Sequence, residues 1–152
     1  MKTIAINKKA NFNYLITEKI EAGIVLTGSE VKSIRNHEVS IKESYIGEKN
    51  SELWLFNCHI NDYNNSSQVD YNPIRIKKIL LSKKEQNKIK SLKNKQGFSA
   101  IPISLYFNKK GFAKILIGIG KGKKKSDKRQ DLKKKEWDLQ KRRLLIKKNK
   151  NN

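Results

Sequence analysis

The stretch Glu21–Arg35 constrains this chain most, because it prescribes a buried strand running directly into a capped helix. Ile24, Val25 and Leu26 form a short unbroken apolar run of the kind a buried strand carries. Gly23, just ahead of them, marks a bulge or a place where another backbone or a ligand comes close. Thr27 and Glu30 stand at capping-box spacing: the hydroxyl accepts from the Glu30 amide, and the carboxylate accepts from the Thr27 amide. A helix starting there puts Val31 and Ile34 on one face, and Lys32 and Arg35 on another. The outer side of that helix is basic, so Lys32 and Arg35 are candidate contacts for a polyanion.

The rest of the chain predicts short strands. Residues 1–13 are polar and basic and suggest an extended arm; Asn7, Lys8 and Lys9 there suit phosphate contacts or a solvated terminus alike. Tyr14–Ile20 and Glu21–Leu26 form one long strand bent at Gly23. Val39–Ile46 and Glu52–Ile60 predict a hairpin around Gly47–Asn50, with Trp54, Phe56, Cys58 and Ile60 inward and Leu53, Leu55, Asn57 and His59 outward. Asn61–Asn72 is a polar loop. Arg75–Leu81 returns as a strand, and Ser82 with Glu85 opens a second capped helix. That helix turns Ile89 and Leu92 inward and a row of lysines outward, and Gly97 stops it. Ser99–Phe107 and Phe112–Ile119 form a last hairpin, with Pro102 implying an edge or a bulge. Lys114 lies opposite the inward set Ala113, Ile115, Ile117 and Ile119, beside Phe112 and Leu116, on a surface suited to being covered.

Charge separates the chain into two parts. Residues 121–152 carry 15 Lys/Arg against 4 Asp/Glu, a net of +11, whereas residues 1–120 carry 20 against 10, a net of +10. The total of +21 calls for a polyanionic partner. We expect a β-barrel RNA-binding domain over 1–120 and a basic tail over 121–152. The tail has too few apolar residues to bury anything and its like charges repel. Asp131–Lys135 and Asp138–Arg142 are acid-before-base pairs at i,i+4, so the tail is expected to be disordered alone and helical against RNA, anchored by Trp137, Leu144 and Leu145. The fold class predicted is mainly β with short helices: a small closed antiparallel barrel, broadly OB-like, with a helix plugging one end.

Several chemistries find no support in the sequence. Cys58 is the single cysteine, which precludes an intramolecular disulfide, and with two histidines the chain falls short of a zinc site of its own. Cys58 reads as a small buried apolar residue. There is no Walker loop, no Cys/His pairing and no carboxylate pair, so we expect no catalytic residues, no metal, no cofactor and no small-molecule substrate. The N-terminus lacks a signal-peptide h-region, no window reaches the length needed to span a bilayer, and a cytoplasmic location is expected.

Three motifs then stand in order. Asn7-Lys8-Lys9-Ala10 is followed by Tyr14; Glu21–Arg35 comes next; Gly120-Lys121-Gly122-Lys123-Lys124 is followed by Asp127-Lys128-Arg129. Together they resemble the SmpB family, which accompanies transfer-messenger RNA (tmRNA) in rescuing stalled bacterial ribosomes, and the likeness runs from about Asn7 to Leu145. The resemblance implies an OB-like fold and places Asn7, Glu21, Leu80 and Lys114 at the surface that grips the tRNA-like domain of tmRNA. Without it, Glu21 would be a surface acid at a strand bulge; with it, the carboxylate accepts from base amino groups or a ribose 2′-hydroxyl. It assigns Gly122, Lys123, Lys124, Asp127, Lys128 and Arg129 to the start of a tail needed for acceptance by the ribosome. The implied partners are tmRNA and the decoding centre and mRNA channel of the stalled 70S ribosome, with elongation factor Tu and alanyl-tRNA synthetase acting indirectly.

Three positions depart from the family pattern. Phe12 stands where a His usually stacks on ribosomal RNA, keeping the flat ring and losing the hydrogen bond. His37, preceded by Asn36, replaces a helix-stopping Gly, and Asn36 is expected to move the stop by one residue. Ser126 replaces an aromatic or His and is expected to cap the tail helix. The expected function is a non-enzymatic RNA-binding adaptor of trans-translation. A generic OB-fold or ribosome-associated RNA binder without tmRNA specificity is the alternative.

Overall fold

The computed structural model describes residues 2–63 and 70–150. They form nine strands and four helices. β1 (Lys2–Ile6) and the short α1 (Ala10–Asn13) lead into β2 (Tyr14–Ile24), α2 (Gly28–Arg35) and β3 (Val39–Ser40). Next come β4 (Tyr45–Lys49), β5 (Glu52–Phe56), β6 (His59–Ile60), β7 (Lys77–Leu80) and α3 (Lys83–Lys93). The hairpin β8 (Phe98–Phe107) and β9 (Ala113–Gly122) precedes α4 (Lys125–Lys150). The chain divides into two compact units, Met1–Gly122 and Lys123–Asn152.

An antiparallel sheet in the order β1-β8-β9-β2-β7-β5-β4 makes up most of the first unit, beside a two-stranded β3-β6 ladder. The structure is therefore mixed β and α, and its sheet ladder does not close as the expected barrel would. β4 packs against β8, but a cleft of about 400 Å³ lined by Tyr45, Ile46 and residues Phe98–Ile101 lies along that seam. The sequence supplies the reason. β8 is already paired to β9 on one side and, over Ser104–Phe107, to β1 on the other. Pro102 has no amide to donate, and the β8–β9 register slips between Pro102 and Ser104.

The expected arm is half correct. Lys2–Ile6 is extended, but as a strand on β8 rather than a free segment. β2 stops at Ile24, so only that residue of the Ile24–Leu26 run is both buried and in a strand, while Val25 is exposed. The break in β2 lies between Ile16 and Glu18, where the register against β9 shifts, and not at Gly23.

Both ends of α2 follow from side-chain chemistry. Thr27 and Glu30 form the full capping box. At the other end the left-handed residue is His37, at φ 61°, while Asn36 stays at φ −86°. The His37 amide donates to Ile34 O (2.9 Å) and the Glu38 amide to Ser33 O (3.0 Å), the pair of bonds that closes a Schellman turn. The stop thus remains at the family's position and carries a side chain where Gly would be unstrained.

The first strand of the first hairpin runs three residues further than predicted, to Lys49 rather than Ile46. Lys49 pairs with Glu52 across Asn50 and Ser51, both at positive φ (53° and 64°), the pattern of a two-residue type I′ turn. The inward face of β5 is the reverse of that expected: Leu53 and Leu55 are buried, and Trp54 and Phe56 are half-buried. Asn57 at φ 57° breaks the alternation, so Cys58 and Ile60 face the core after it. Phe56 instead stacks on Tyr45, centroids 5.2 Å apart and planes within 7°. β9 follows its expected alternation, with Ile115, Ile117 and Ile119 fully buried.

In α3, Ser82 accepts from the Glu85 amide, and its hydroxyl donates to the Glu85 carboxylate, so the cap is one-sided rather than reciprocal. Three of the outward lysines are held internally. Lys88 pairs with Glu18 (2.8 Å), Lys90 donates to Ser51 O (2.5 Å) and Lys93 to Ile46 O (2.8 Å). The predicted loop Asn61–Asn72 has its centre, 64–69, outside the described residues.

The tail expected to be disordered alone is a continuous 26-residue helix with no buried residue. Its Lys, Arg, Leu, Glu and Gln content favours helix. Ser126 lies inside its first turn and does not cap it, since the helix begins at Lys125. Asp131 pairs with Lys123 (2.5 Å). No helix among the described residues is long and apolar enough to cross a membrane.

Candidate nucleic-acid interface

Antiparallel pairing brings three of the candidates together around Gly23. Gly23 sits between two neighbours at once, Lys114 of β9 and Leu80 of β7. A side chain there would crowd Leu80 and touch Lys114: an added Cβ would lie 3.2 Å from the Leu80 Cβ and 3.7 Å from the Lys114 Nζ. Glycine therefore lets Leu80 and the Lys114 ammonium close over the strand. Glu21, two residues earlier and thus on the same face of β2, pairs with Leu116. Leu80 is 51% exposed although it belongs to a run of apolar residues, and Val25, two residues after Gly23, is also exposed. One sheet face thus offers an anionic acceptor, a cation and apolar surface, a combination suited to a folded RNA with its 2′-hydroxyls and base edges.

Tyr106 completes this face and escaped the sequence reading. It is the cross-strand partner of Lys114 on β8, only 6% exposed, and its hydroxyl donates to Glu21 Oε2. Burial, then the hydrogen bond and negative charge of Glu21, push its phenol up to about 12, so it remains a proton donor throughout the physiological range. The signal available in the sequence was Tyr106 lying out of phase with Leu105 and Phe107 in a strand.

The other candidates lie elsewhere. Asn7 is 7% exposed; its amide donates to Ile103 O (2.7 Å) and its side-chain nitrogen to Pro102 O (3.1 Å), fastening β1 to the β8 bulge. It is not the surface group that a direct phosphate contact requires. Lys8 is exposed, Phe12 is half-buried on α1, and a cleft of about 210 Å³ lined by Asn7, Lys9, Tyr14, Lys42 and Tyr45 lies beside them. Lys32 and Arg35 are exposed on α2, their cations over the Tyr63 ring (5.4 Å) and the Phe107 ring (5.9 Å). Gly122 ends β9, while Lys123, Lys124, Asp127, Lys128 and Arg129 lie at and within the start of α4. Trp137, Leu144 and Leu145 are exposed along that helix, with the Lys141 ammonium 5.1 Å from the Trp137 ring.

A buried ionic cluster braces the first unit from inside. The cap residue Glu30 is 1% exposed; Arg75 Nη2 donates to its Oε1 (2.5 Å) and Nε to its Oε2 (3.2 Å). Lys77, fully buried, lies 3.7 Å from the same carboxylate and donates to the carbonyls of Arg75 (2.6 Å) and Cys58 (3.2 Å). Burial alone would raise the Glu30 pKa. Arg75, the Thr27 amide and the Lys77 charge together outweigh it and hold the carboxyl below its ordinary value. Burial pushes the Lys77 ammonium down and the Cys58 thiol up, so Cys58 is a buried neutral thiol. The capping-box spacing identified Glu30, but nothing local in sequence announced its two cationic partners 45 and 47 residues away. Among the described residues no group of His, Cys, Asp and Glu is placed to hold a metal ion.

Comparison with known proteins supplies the context for this geometry. The profile of the family described as SmpB protein matches residues 4–148. An SsrA-binding protein of Ehrlichia canis is 51% identical over 145 residues, covering 95% of this chain and 98% of that protein. One from Nitrobacter winogradskyi is 48% identical, covering 95% and 92%, and one from Wolbachia pipientis wMel is 50% identical, covering 95% and 97%. A chain solved in work on tmRNA and SmpB at the centre of the bacterial ribosome superposes with a TM-score of 0.66 at 38% identity, covering 79% of this chain and 84% of that one. Matched over nearly its whole length by profile and by sequence, and over 79% of it by fold, the chain belongs to the SmpB family.

Proposed function

We propose that this protein is an RNA-binding adaptor of trans-translation, which binds the tRNA-like domain of tmRNA and brings it to stalled ribosomes. The observation that carries the proposal is the convergence of Glu21, Lys114 and Leu80 around Gly23 in a chain about half identical to SsrA-binding proteins. The curled sheet acts as an OB-like barrel left open at the β4/β8 seam, and its Gly23-centred face holds the RNA. Lys8, Lys32 and Arg35 add phosphate contacts from neighbouring surface. Asn7 contributes by holding the β8 bulge in place.

The second unit has a different task. Its lysines and arginines neutralise phosphates in the empty mRNA channel of the stalled 70S ribosome, with Trp137, Leu144 and Leu145 as anchors and Phe12 stacking near the decoding centre. The protein works without catalysis, in the cytoplasm. Elongation factor Tu and alanyl-tRNA synthetase act on the same charged RNA.

The test is to purify the protein from cells at stringent salt and sequence the RNA that comes with it. tmRNA enriched well above bulk tRNA and ribosomal RNA is the expected result. Recovery of structured RNAs in proportion to their abundance would contradict the proposal and favour a generic RNA-binding module.

A further inference from the structure

We infer that Tyr106 is a positioning residue for RNA recognition: it fixes the Glu21 carboxylate so that one oxygen stays available to a 2′-hydroxyl or a base amino group. This rests on the proposed reading of the Gly23-centred face. Tyr106 sits on β8 and Glu21 on β2, with β9 between them, so the side chain spans β9 to make the bond. Its own cross-strand partner is Lys114, and Lys114 in turn pairs with Gly23. Tyr106 therefore bonds one charged member of the cluster and lies directly across the ladder from the other.

The chemistry of the pair supports a directing role. A free surface glutamate samples many rotamers, and ordering it on binding costs side-chain entropy. A buried phenol held in the protonated form is a fixed donor that removes this freedom before RNA arrives. Tyr106 occupies Oε2, and a carboxylate has lone pairs on both oxygens, so the other oxygen remains an acceptor. Specificity follows, because an oriented acceptor rewards a donor at one place and opposes a phosphate everywhere else. On a basic protein this converts general attraction into discrimination.

The test is a double-mutant cycle in the full chain, with in vitro transcribed tmRNA as the probe. Tyr106→Phe alone is expected to weaken binding about tenfold, the scale of a lost hydrogen bond to a charged group. In the Glu21→Ala background it should change affinity less than about twofold, because a residue acting through Glu21 has nothing left to position. Equal effects of Tyr106→Phe in both backgrounds, or no effect in the parent, would overturn the inference while leaving the proposed RNA face intact. Parent-like binding by Glu21→Ala would overturn both. A fluorinated tyrosine at 106 gives a second readout that keeps the ring and the fold. Its more acidic phenol stops donating as pH rises through its own pKa, and tmRNA affinity should fall there in the parent background only. An affinity that ignores that ionisation contradicts the inference.

Discussion

The β unit and the C-terminal helical unit carry almost the same net charge, +11 over residues 1–122 and +10 over residues 123–152, on very different foundations. In the first, strands from every part of the unit bury a core of Ile, Leu, Ala and Cys side chains, and charges are placed upon it or, as with Glu30 and Lys77, within it. In the second, no residue of α4 is buried, and Trp137, Leu144 and Leu145 face outward with the lysines. Where the core fixes the backbone, a charge becomes a located contact such as Glu21 held by Tyr106. Without a core, charge is a density along a fully exposed helix that no buried side chain anchors. Location suits recognition of one folded RNA, and density suits a channel walled by phosphate.

The largest expected effect separates the two regions outright. A chain lacking residues 123–152 should lose ribosome rescue entirely, yet bind tmRNA within about threefold of the parent, since the Glu21, Leu80 and Lys114 face lies wholly in the β unit. Peptide tagging on stalled ribosomes and a filter-binding titration read the two halves of this prediction. Retained tagging would erase the distinction between the regions.

Next in size is Glu30→Gln, which leaves Arg75 and the buried Lys77 facing a neutral amide. A loss of about 3 kcal/mol in urea unfolding of the β unit is expected, with α4 helicity by circular dichroism unchanged. The same cluster sets an acid limit. Because the folded pKa of Glu30 lies below its ordinary 4.5, its contribution is fully present above that value. It is lost as pH falls through the lowered folded value. Acid unfolding of the parent should therefore be steeper below pH 4.5 than that of Glu30→Gln.

Glu21→Ala sharpens the comparison at a small cost in stability. The residue is exposed but accepts from the buried Tyr106 hydroxyl, so the melting temperature should fall by a few degrees, for a loss of about 1 kcal/mol, while tmRNA affinity falls about tenfold. The smallest effect belongs to the density region. Lys133→Ala, exposed on α4, should leave tmRNA binding as it is and reduce the salt slope of ribosome binding by about one.

How legible this was in the sequence depended on whether the cause was local. The α2 cap, the β8 bulge after Pro102 and the β9 alternation all follow from neighbours within four residues, and the structure has them. The reversed face of β5 hinged on Asn57 taking a positive φ, which no alternation pattern registers. Ile24–Leu26 looked buried by composition, but the strand ends at Ile24 because the capped helix begins so soon after it. Of the candidate site, the Glu21, Leu80 and Lys114 positions came from family resemblance, and their meeting at Gly23 is a product of register. Tyr106 and the Glu30 partners Arg75 and Lys77 were illegible for the same reason: each contact joins strands or helices 45 to 85 residues apart.

Amide hydrogen exchange on the intact protein free of nucleic acid tests the central contrast most directly. Amides of β2, β8 and β9 should exchange slowly, near the rate set by global unfolding, and those of α4 close to the rate of an unprotected peptide, slowing when ribosomes carrying tmRNA are added. Slow exchange throughout α4 in the protein alone, matching that of β9, would contradict the claim that this helix stands without the support of a core.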